Sequence, residues 1–272
     1  MTEALTETAY AKINLALHVR ARRTDGYHQL ETLFAFARDG DRLSGAVAED
    51  LSLTLSGPHA ASLESESDNL ILRAARGLQT ETQTRHGAAL HLDKHLPVAA
   101  GLGGGSADAA ATLRLLAQLW QIDPDDPAIM AVARTLGADV PACIKSATCF
   151  GSGRGDELTP LSVPALSGTP LLLVNPGIAL STAAVFAGWD GFDRGTLVPA
   201  DWRCGRNDLT SPAIALVPEI ADLLARLESQ AGSNFVRMSG SGATCFALFD
   251  NIGARDAAAR EIPFWHMSTV IR

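Results

Sequence analysis

The sequence has only four cysteines, Cys143, Cys149, Cys204 and Cys245, with no C-x-x-C spacing and no histidines at zinc-finger distances. That excludes a disulfide framework and the common zinc modules, and it reads the cysteines as reduced, mostly core residues. Basic residues are also outnumbered: 22 Lys and Arg face 30 Asp and Glu, a formal net charge of −8. A general affinity for nucleic acid or anionic membranes is thereby disfavoured, while a local basic site for a small polyanion stays open. No apolar run approaches membrane-spanning length; "PLLLV" around residue 172 is a buried strand at most. The opening "MTEALTETAY" is acidic and lacks the apolar core of a secretory signal. No role is assigned to Met1 to Thr8. Internal repeats and low-complexity tracts are missing too. What is there, over 272 residues, is 47% hydrophobic and 19% charged. This is a globular composition, expected in the cytoplasm, with room for one large domain or two ordinary ones.

The patterning mixes strands and helices. "AYAKINLALHV" alternates, with Ile13, Leu15, Leu17 and Val19 on one face and Lys12, Asn14, Ala16 and His18 on the other. Strand signals recur in "TLFAFA", "LSLTLS" and "AALHLDKHL". "SDNLILRAARGLQTET" predicts a helix capped by Ser67 or Asp68, with Leu70, Ile71, Ala74 and Leu78 buried. A second helix is expected over Pro127–Leu136, with proline at its start and Gly137 as C-cap. Composition shifts at the proline-rich "SVPALSGTP", placing a domain boundary between about 150 and 165. Beyond it the expected order is strand 171–174, helix 181–188, loop 190–206, helix 212–229, strands 234–238 and 244–249, helix 254–261 and strand 265–270. Pro218 should kink or split the long helix. Without a steady βαβ alternation, the class is α+β.

One stretch stands out: "LPVAAGLGGGSADAAATLRLLAQLW", Leu96 to Trp120. Gly101, Gly103, Gly104 and Gly105 run into a helix whose stripe is Ala109, Ala110, Leu113, Leu116, Ala117 and Trp120. Glycines there allow positive φ and close approach, and the first helical amides suit a phosphate. Ser106 can cap the helix or offer its hydroxyl to a phosphate or metal ion. A Walker A loop is excluded because no Lys follows, and G-x-G-x-x-G is excluded because position 106 is serine. The simpler reading is a flexible turn. Asp108 sits awkwardly, since an acid in the first turns repels a bound phosphate.

Four other groups carry chemistry. Lys12 and Asn14 share one face of an otherwise apolar strand, so Lys12 either finds an anionic partner or faces solvent at a sheet edge. Tyr27-His28 follows the turn "TDG" and offers a ring with hydrogen-bonding edges, or is an incidental aromatic pair. In "LGADVP", Asp139 follows a helix C-terminus, the wrong end for its charge; it is held by a cation or is a turn former. "MSGSGAT", Met238 to Thr244, is a hairpin or a second set of backbone amides facing the glycine loop.

Together, P-x3-G-L-G-G-G-S, the Lys-bearing first strand and the late S-G-S-G-A-T resemble the GHMP kinases, the family of galactokinase and of homoserine, mevalonate and phosphomevalonate kinases. The resemblance runs from about Ala11 to Phe249. It implies a two-domain α+β fold: a ribosomal-protein S5 domain-2-like unit over 1–155 with the ATP loop and catalytic pair, and a ferredoxin-like unit over 156–272. "DGYHQLETLF", "DNLILRAAR" and "LGADVP" narrow it to the members acting on a small molecule in which cytidine diphosphate is linked to methylerythritol, in the non-mevalonate route to isoprenoids. Rival substrates are those of the homoserine or mevalonate type; a nucleotide-binding regulator without catalysis is the rival of another class.

The resemblance further implies roles. Asp139 is the general base and Lys12 its cationic partner. Pro97, Val98, Ala99, Ala100, Gly101, Leu102, Gly103, Gly104, Gly105, Ser106 and Ala107 wrap the phosphates of ATP, with Mg²⁺ accompanying the nucleotide. Asn69 and Lys94 fall near the adenosine. Asn14 orients the acceptor hydroxyl, while Tyr27, His28 and Phe186 form the cytosine site, and Gly240, Ser241 and Gly242 line the substrate. Relatives often have a second serine where Ala107 stands, so one hydroxyl is missing here, and the C-terminus is short. Nucleic acid and membranes are not expected partners, and the chain is expected to be a monomer or homodimer.

Overall fold

The computed structural model describes residues 4–63, 69–163 and 165–272. Two compact units emerge, each discontinuous along the chain. The first comprises Met1–Ala11, Asp39–Val98 and Gly103–Ser146; the second comprises Lys12–Arg38, Ala99–Leu102 and Ala147–Arg272. The boundary between them falls inside two long strands, β1 (Leu5–Arg22) and β2 (His28–Ala48).

In the first unit, β3 (Leu51–Ser56) connects through α1 (Leu70–Thr82) to β4 (Gly87–Asp93), and β3 and β4 pair in parallel. The end of β2 lies antiparallel on β4, with Arg42 opposite Asp93. That register sets Asp41 beside the residues following β4, which matters below. Helix α1 buries Ile71, Ala74, Ala75 and Leu78. Its N-cap is Asn69, whose side chain accepts from the Leu72 amide at 3.1 Å. Ser67 and Asp68, the expected caps, lie outside the described residues. α2 (Gly104–Leu119) buries far more than the expected stripe, because it packs on α1 and on α4 (Val140–Lys145). Between these, α3 (Pro127–Leu136) starts as expected, with Asp126 capping and proline in the first turn. Gly137 is the C-cap but in extended rather than left-handed geometry. The chain turns straight into α4, a helix the sequence pattern did not reveal.

In the second unit, the start of β2 pairs with β5 (Cys149–Ser152), which forms a hairpin with β6 (Glu157–Pro160). A separate antiparallel sheet has the order β10-β7-β9-β8, from β7 (Pro170–Asn175), β8 (Ser233–Met238), β9 (Cys245–Phe249) and β10 (Trp265–Val270). Helices α5 (Thr182–Ala187), α6 (Thr210–Leu216), α7 (Glu219–Glu228) and α8 (Ile252–Glu261) complete it. Pro218 does split the expected helix, since Val217 leaves helical geometry between α6 and α7. The core there gathers Leu172, Val174, Ile220, Leu223, Met238 and Phe249. All four cysteines are free; Cys204 departs from the expected core placement and is exposed, in the turn Pro199–Cys204. The α+β class holds.

Leu78, fully buried on α1, tests this packing. Leu78→Ala should lower the unfolding free energy in denaturant titrations by about 2–5 kcal/mol. A loss well under 1 kcal/mol would mean that the α1 face is not part of the core.

Candidate active site

The glycine segment is shaped by close approaches. Gly103 is the N-cap of α2 in left-handed geometry, φ 62°, so the helix begins at Gly104 and leaves its first amides for a ligand. Ser106 is therefore the third helical residue and not the cap, a correction that follows from glycine reaching the left-handed region without strain. A Cβ on Gly104 would stand 3.1 Å from the Lys94 ammonium. Lys94 itself is buried, its Nζ 2.6 Å from Oδ2 of both Asp41 and Asp108. The expectation that it lies near the adenosine rests on resemblance alone; its side chain is turned into this cluster. Asp108, the acid that seemed misplaced beside a phosphate loop, faces Lys94. Burial drives its carboxyl up to about 7; Lys94 pulls the other way and Asp41 adds to the rise. Burial disfavours the Lys94 charge, yet the two carboxylates outweigh it and hold its pKa above the ordinary value.

The rest of the segment, Ala99–Leu102, belongs to the second unit and packs against the "MSGSGAT" turn. Gly101 has φ +77°, and a Cβ there would fall 2.3 Å from the Ser239 carbonyl oxygen. The Ser239 hydroxyl donates to the Gly101 carbonyl at 2.8 Å, and the Thr244 amide to the Ala100 carbonyl at 3.2 Å. "MSGSGAT" thus links β8 to β9 and is hydrogen-bonded to the glycine segment. Asn207, which the sequence did not flag, clamps this turn by donating to the Met238 and Gly240 carbonyls, each at 2.8 Å. Its only sequence signal was a lone amide in the irregular "RCGRND".

Lys12 is 3% exposed, which overturns the solvent-facing alternative. Its Nζ donates to Asn14 Oδ1 at 2.9 Å and lies 5.4 Å from the Phe34 ring centre. Asn14 Nδ2 in turn donates to Thr32 Oγ1 at 2.8 Å, and Thr32 Oγ1 donates to the Ala16 carbonyl. The chain of donors fixes the amide so that its oxygen faces the ammonium. The Lys12 amide donates to the Leu102 carbonyl at 2.9 Å, tying this strand to the glycine segment. The face of β1 read as polar is as buried as the apolar one.

His28 and Phe186 come together, ring centres 4.9 Å apart, and Trp189 meets His28 edge-on at 5.8 Å. Burial, helped by Arg22, lowers the His28 pKa and keeps the ring neutral at pH 7. Tyr27 is 53% exposed, with the Arg154 guanidinium 5.0 Å from its ring centre. Trp189 is an aromatic partner the sequence reading missed.

In the first unit, Asp139 is the N-cap of α4. The apparent conflict with the helix dipole disappears. The residue follows α3 but opens α4, where the dipole favours a carboxylate. Among the described residues, no group of three or more His, Cys, Asp or Glu side chains could hold a metal, and no helix is long and apolar enough to cross a membrane.

Comparison with known proteins fits this geometry. Family models described as GHMP kinases N terminal domain and GHMP kinases C terminal match residues 69–147 and 199–265. A protein of Rhizorhabdus wittichii named 4-diphosphocytidyl-2-C-methyl-D-erythritol kinase is 52% identical, over 98% of this chain and 94% of its own length. The chain belongs to the GHMP kinase family. A second relative of the same name, from Novosphingobium aromaticivorans, is 50% identical to this kinase over 99% of the chain and 93% of its own length. A crystal structure of 4-(cytidine 5'-diphospho)-2C-methyl-D-erythritol kinase superposes with a TM-score of 0.85 at 33% identity, covering 98% of this chain and 99% of that one. ATP is the phosphoryl donor of such kinases.

Gly101→Ala should lower kcat/KM at least 100-fold, in order of magnitude, because a Cβ cannot fit against Ser239 and Gly242 without moving the segment. Near-normal turnover by the folded variant would show that the close approach is dispensable.

Proposed function

We propose that this kinase transfers the γ-phosphoryl group of ATP to the 2-hydroxyl of 4-diphosphocytidyl-2-C-methyl-D-erythritol, in the non-mevalonate route to isoprenoid precursors. The observation that carries the substrate assignment is the His28–Phe186 pair beside exposed Tyr27. A nucleobase needs ring faces and hydrogen-bonding edges, whereas homoserine or mevalonate has no use for them. The names and near-complete coverage of the two relatives support the same reading. The buried Lys12–Asn14 pair argues against a regulator without catalysis, since a buried ammonium is costly to keep without a task.

In this mechanism Asp139 accepts the proton of the acceptor hydroxyl as the oxygen attacks, and Lys12 offsets the carboxylate charge and the charge developing on the transferred group. Asn14 orients the hydroxyl. Backbone amides between Val98 and Ser106 hold the phosphates, with Pro97 and Ala107 flanking them; Asn69 lies toward the adenosine, Lys94 acts from the buried cluster beneath Gly104, and Gly240, Ser241 and Gly242 line the substrate. Mg²⁺ bound with the nucleotide would neutralise phosphate charge, and Ser106, half-buried in the first turn of α2, would offer it a hydroxyl oxygen. The division at 155/156 belongs to the same reading; the two family models match on either side of it, while the compact units of the fold interleave along the chain. Both reactants are polar nucleotides, which fits work in the cytoplasm, as a monomer or homodimer.

Purified protein with ATP, Mg²⁺ and the cytidyl substrate should release ADP, and Asp139→Asn should reduce that release by about 10³-fold or more. An active Asp139→Asn protein would remove Asp139 as the base. Cytidine diphosphate should compete with the substrate; failure to compete would favour a homoserine- or mevalonate-type acceptor.

A further inference from the structure

The Asp41–Lys94–Asp108 cluster carries one positive charge against two carboxylates, and all three side chains are buried. The two acids are not equivalent. Asp41 is saturated: Oδ2 receives Lys94, and Oδ1 receives the His95 amide at 2.6 Å and the Leu96 amide at 2.7 Å. Among the described residues, Asp108 Oδ2 receives only Lys94, and its buried Oδ1 has no hydrogen-bond partner. A buried carboxylate oxygen with no donor is the expensive place to leave a negative charge.

The cluster also adjoins the start of α2 and the residues leading into the glycine segment. The Lys94 ammonium is within contact distance of Gly104, the first residue of α2, and Asp41 grips the two amides leading into the segment. We propose that this cluster takes up a proton from solvent, on Asp108 Oδ1, when ATP binds, and that Asp108 is thereby a positioning residue working in its protonated form. The inference rests on the reading that Pro97 to Ala107 hold the phosphates. Anionic phosphates arriving at the N-terminus of α2 disfavour an ionised carboxylate one turn below. Protonation changes the cluster from net −1 to neutral, leaving Lys94 bound to Asp41 and Asp108 bound to Lys94 through Oδ2. A carboxyl poised near neutrality in the free protein supports this. The other titratable groups close by are His59, whose pKa is lowered by burial, and His95, which is paired with Asp93 at 2.8 Å.

The test is calorimetric titration with a non-hydrolysable ATP analogue and Mg²⁺, in buffers of different ionisation enthalpy. Wild-type protein should take up about half a proton per nucleotide near pH 7.5, and the uptake should fade toward pH 5, where Asp108 is already protonated. Asp108→Asn should bind with that uptake removed; any proton exchange by the nucleotide itself is common to both proteins and cancels. Equal buffer dependence in the two proteins, or none in the wild type across this range, overturns the proposal. The free protein gives a second readout. A carboxyl whose folded pKa is raised stabilises the fold at low pH, and that contribution is lost as pH climbs from about 4 through 7. The melting temperature should therefore fall over this window, and less so in Asp108→Asn; unchanged slopes count against the proposal. Catalytic turnover with no proton uptake overturns this inference alone. Neither turnover nor nucleotide binding overturns the functional reading and this inference with it.

Discussion

A buried ammonium needs partners that offset its charge, and around Lys94 two carboxylates meet that need and organise the start of the glycine segment. The strand that carries Lys94 must end beside Asp41, which the β2–β4 register ensures by pairing Arg42 with Asp93. The helix after the segment must present Asp108 to the same ammonium, which fixes the rotation of α2 about its axis. Breaking such a pair leaves an uncompensated charge in the interior, at a cost of about 3–5 kcal/mol. The amides of His95 and Leu96 are held by the carboxylate that also holds Lys94. Secondary structure, register and the direction in which the chain leaves β4 are thus coupled through one cation.

The glycines complete this arrangement by letting backbone stand where a side chain would clash or crowd its neighbours. At Gly101 the obstacle is the Ser239 carbonyl; at Gly104 it is the Lys94 ammonium. The two positions answer different constraints, one conformational and steric, the other a close approach to charge. Asn207 and Ser239 then pin the facing turn with side-chain bonds, so its amides are held before any ligand arrives. The Lys12–Asn14–Thr32 chain does the same for the ammonium proposed to act in transfer.

Much of the site was legible because the motifs combine local signals with local consequences. Glycines before an apolar stripe announce a helix start, and Pro218 announces a helix break, since both act through the backbone of a few adjacent residues. Three features were not legible. Helix α4 is one short piece following α3 almost without a gap, too brief for a periodic pattern, so Asp139 was read against the wrong helix. Lys12 gave an ambiguous signal, because alternation alone does not say whether the second face of a strand meets water or protein. Asp41 gave none, being an ordinary acid in a long strand until the register brings it to Lys94.

The sequence by itself determined the α+β class and the kinase family, and it marked the glycine segment as the start of a helix, each written in short spans of chain. Only the tertiary structure decided which charges are neutralised and by whom. Ion pairing depends on burial and on distances between residues 14 and 53 positions apart, as in Lys94–Asp108 and Lys94–Asp41. Neither quantity exists until the strands have registered and the helix has docked. Asp108 makes the point most sharply. In the sequence it opposes a phosphate; in the fold it answers a lysine.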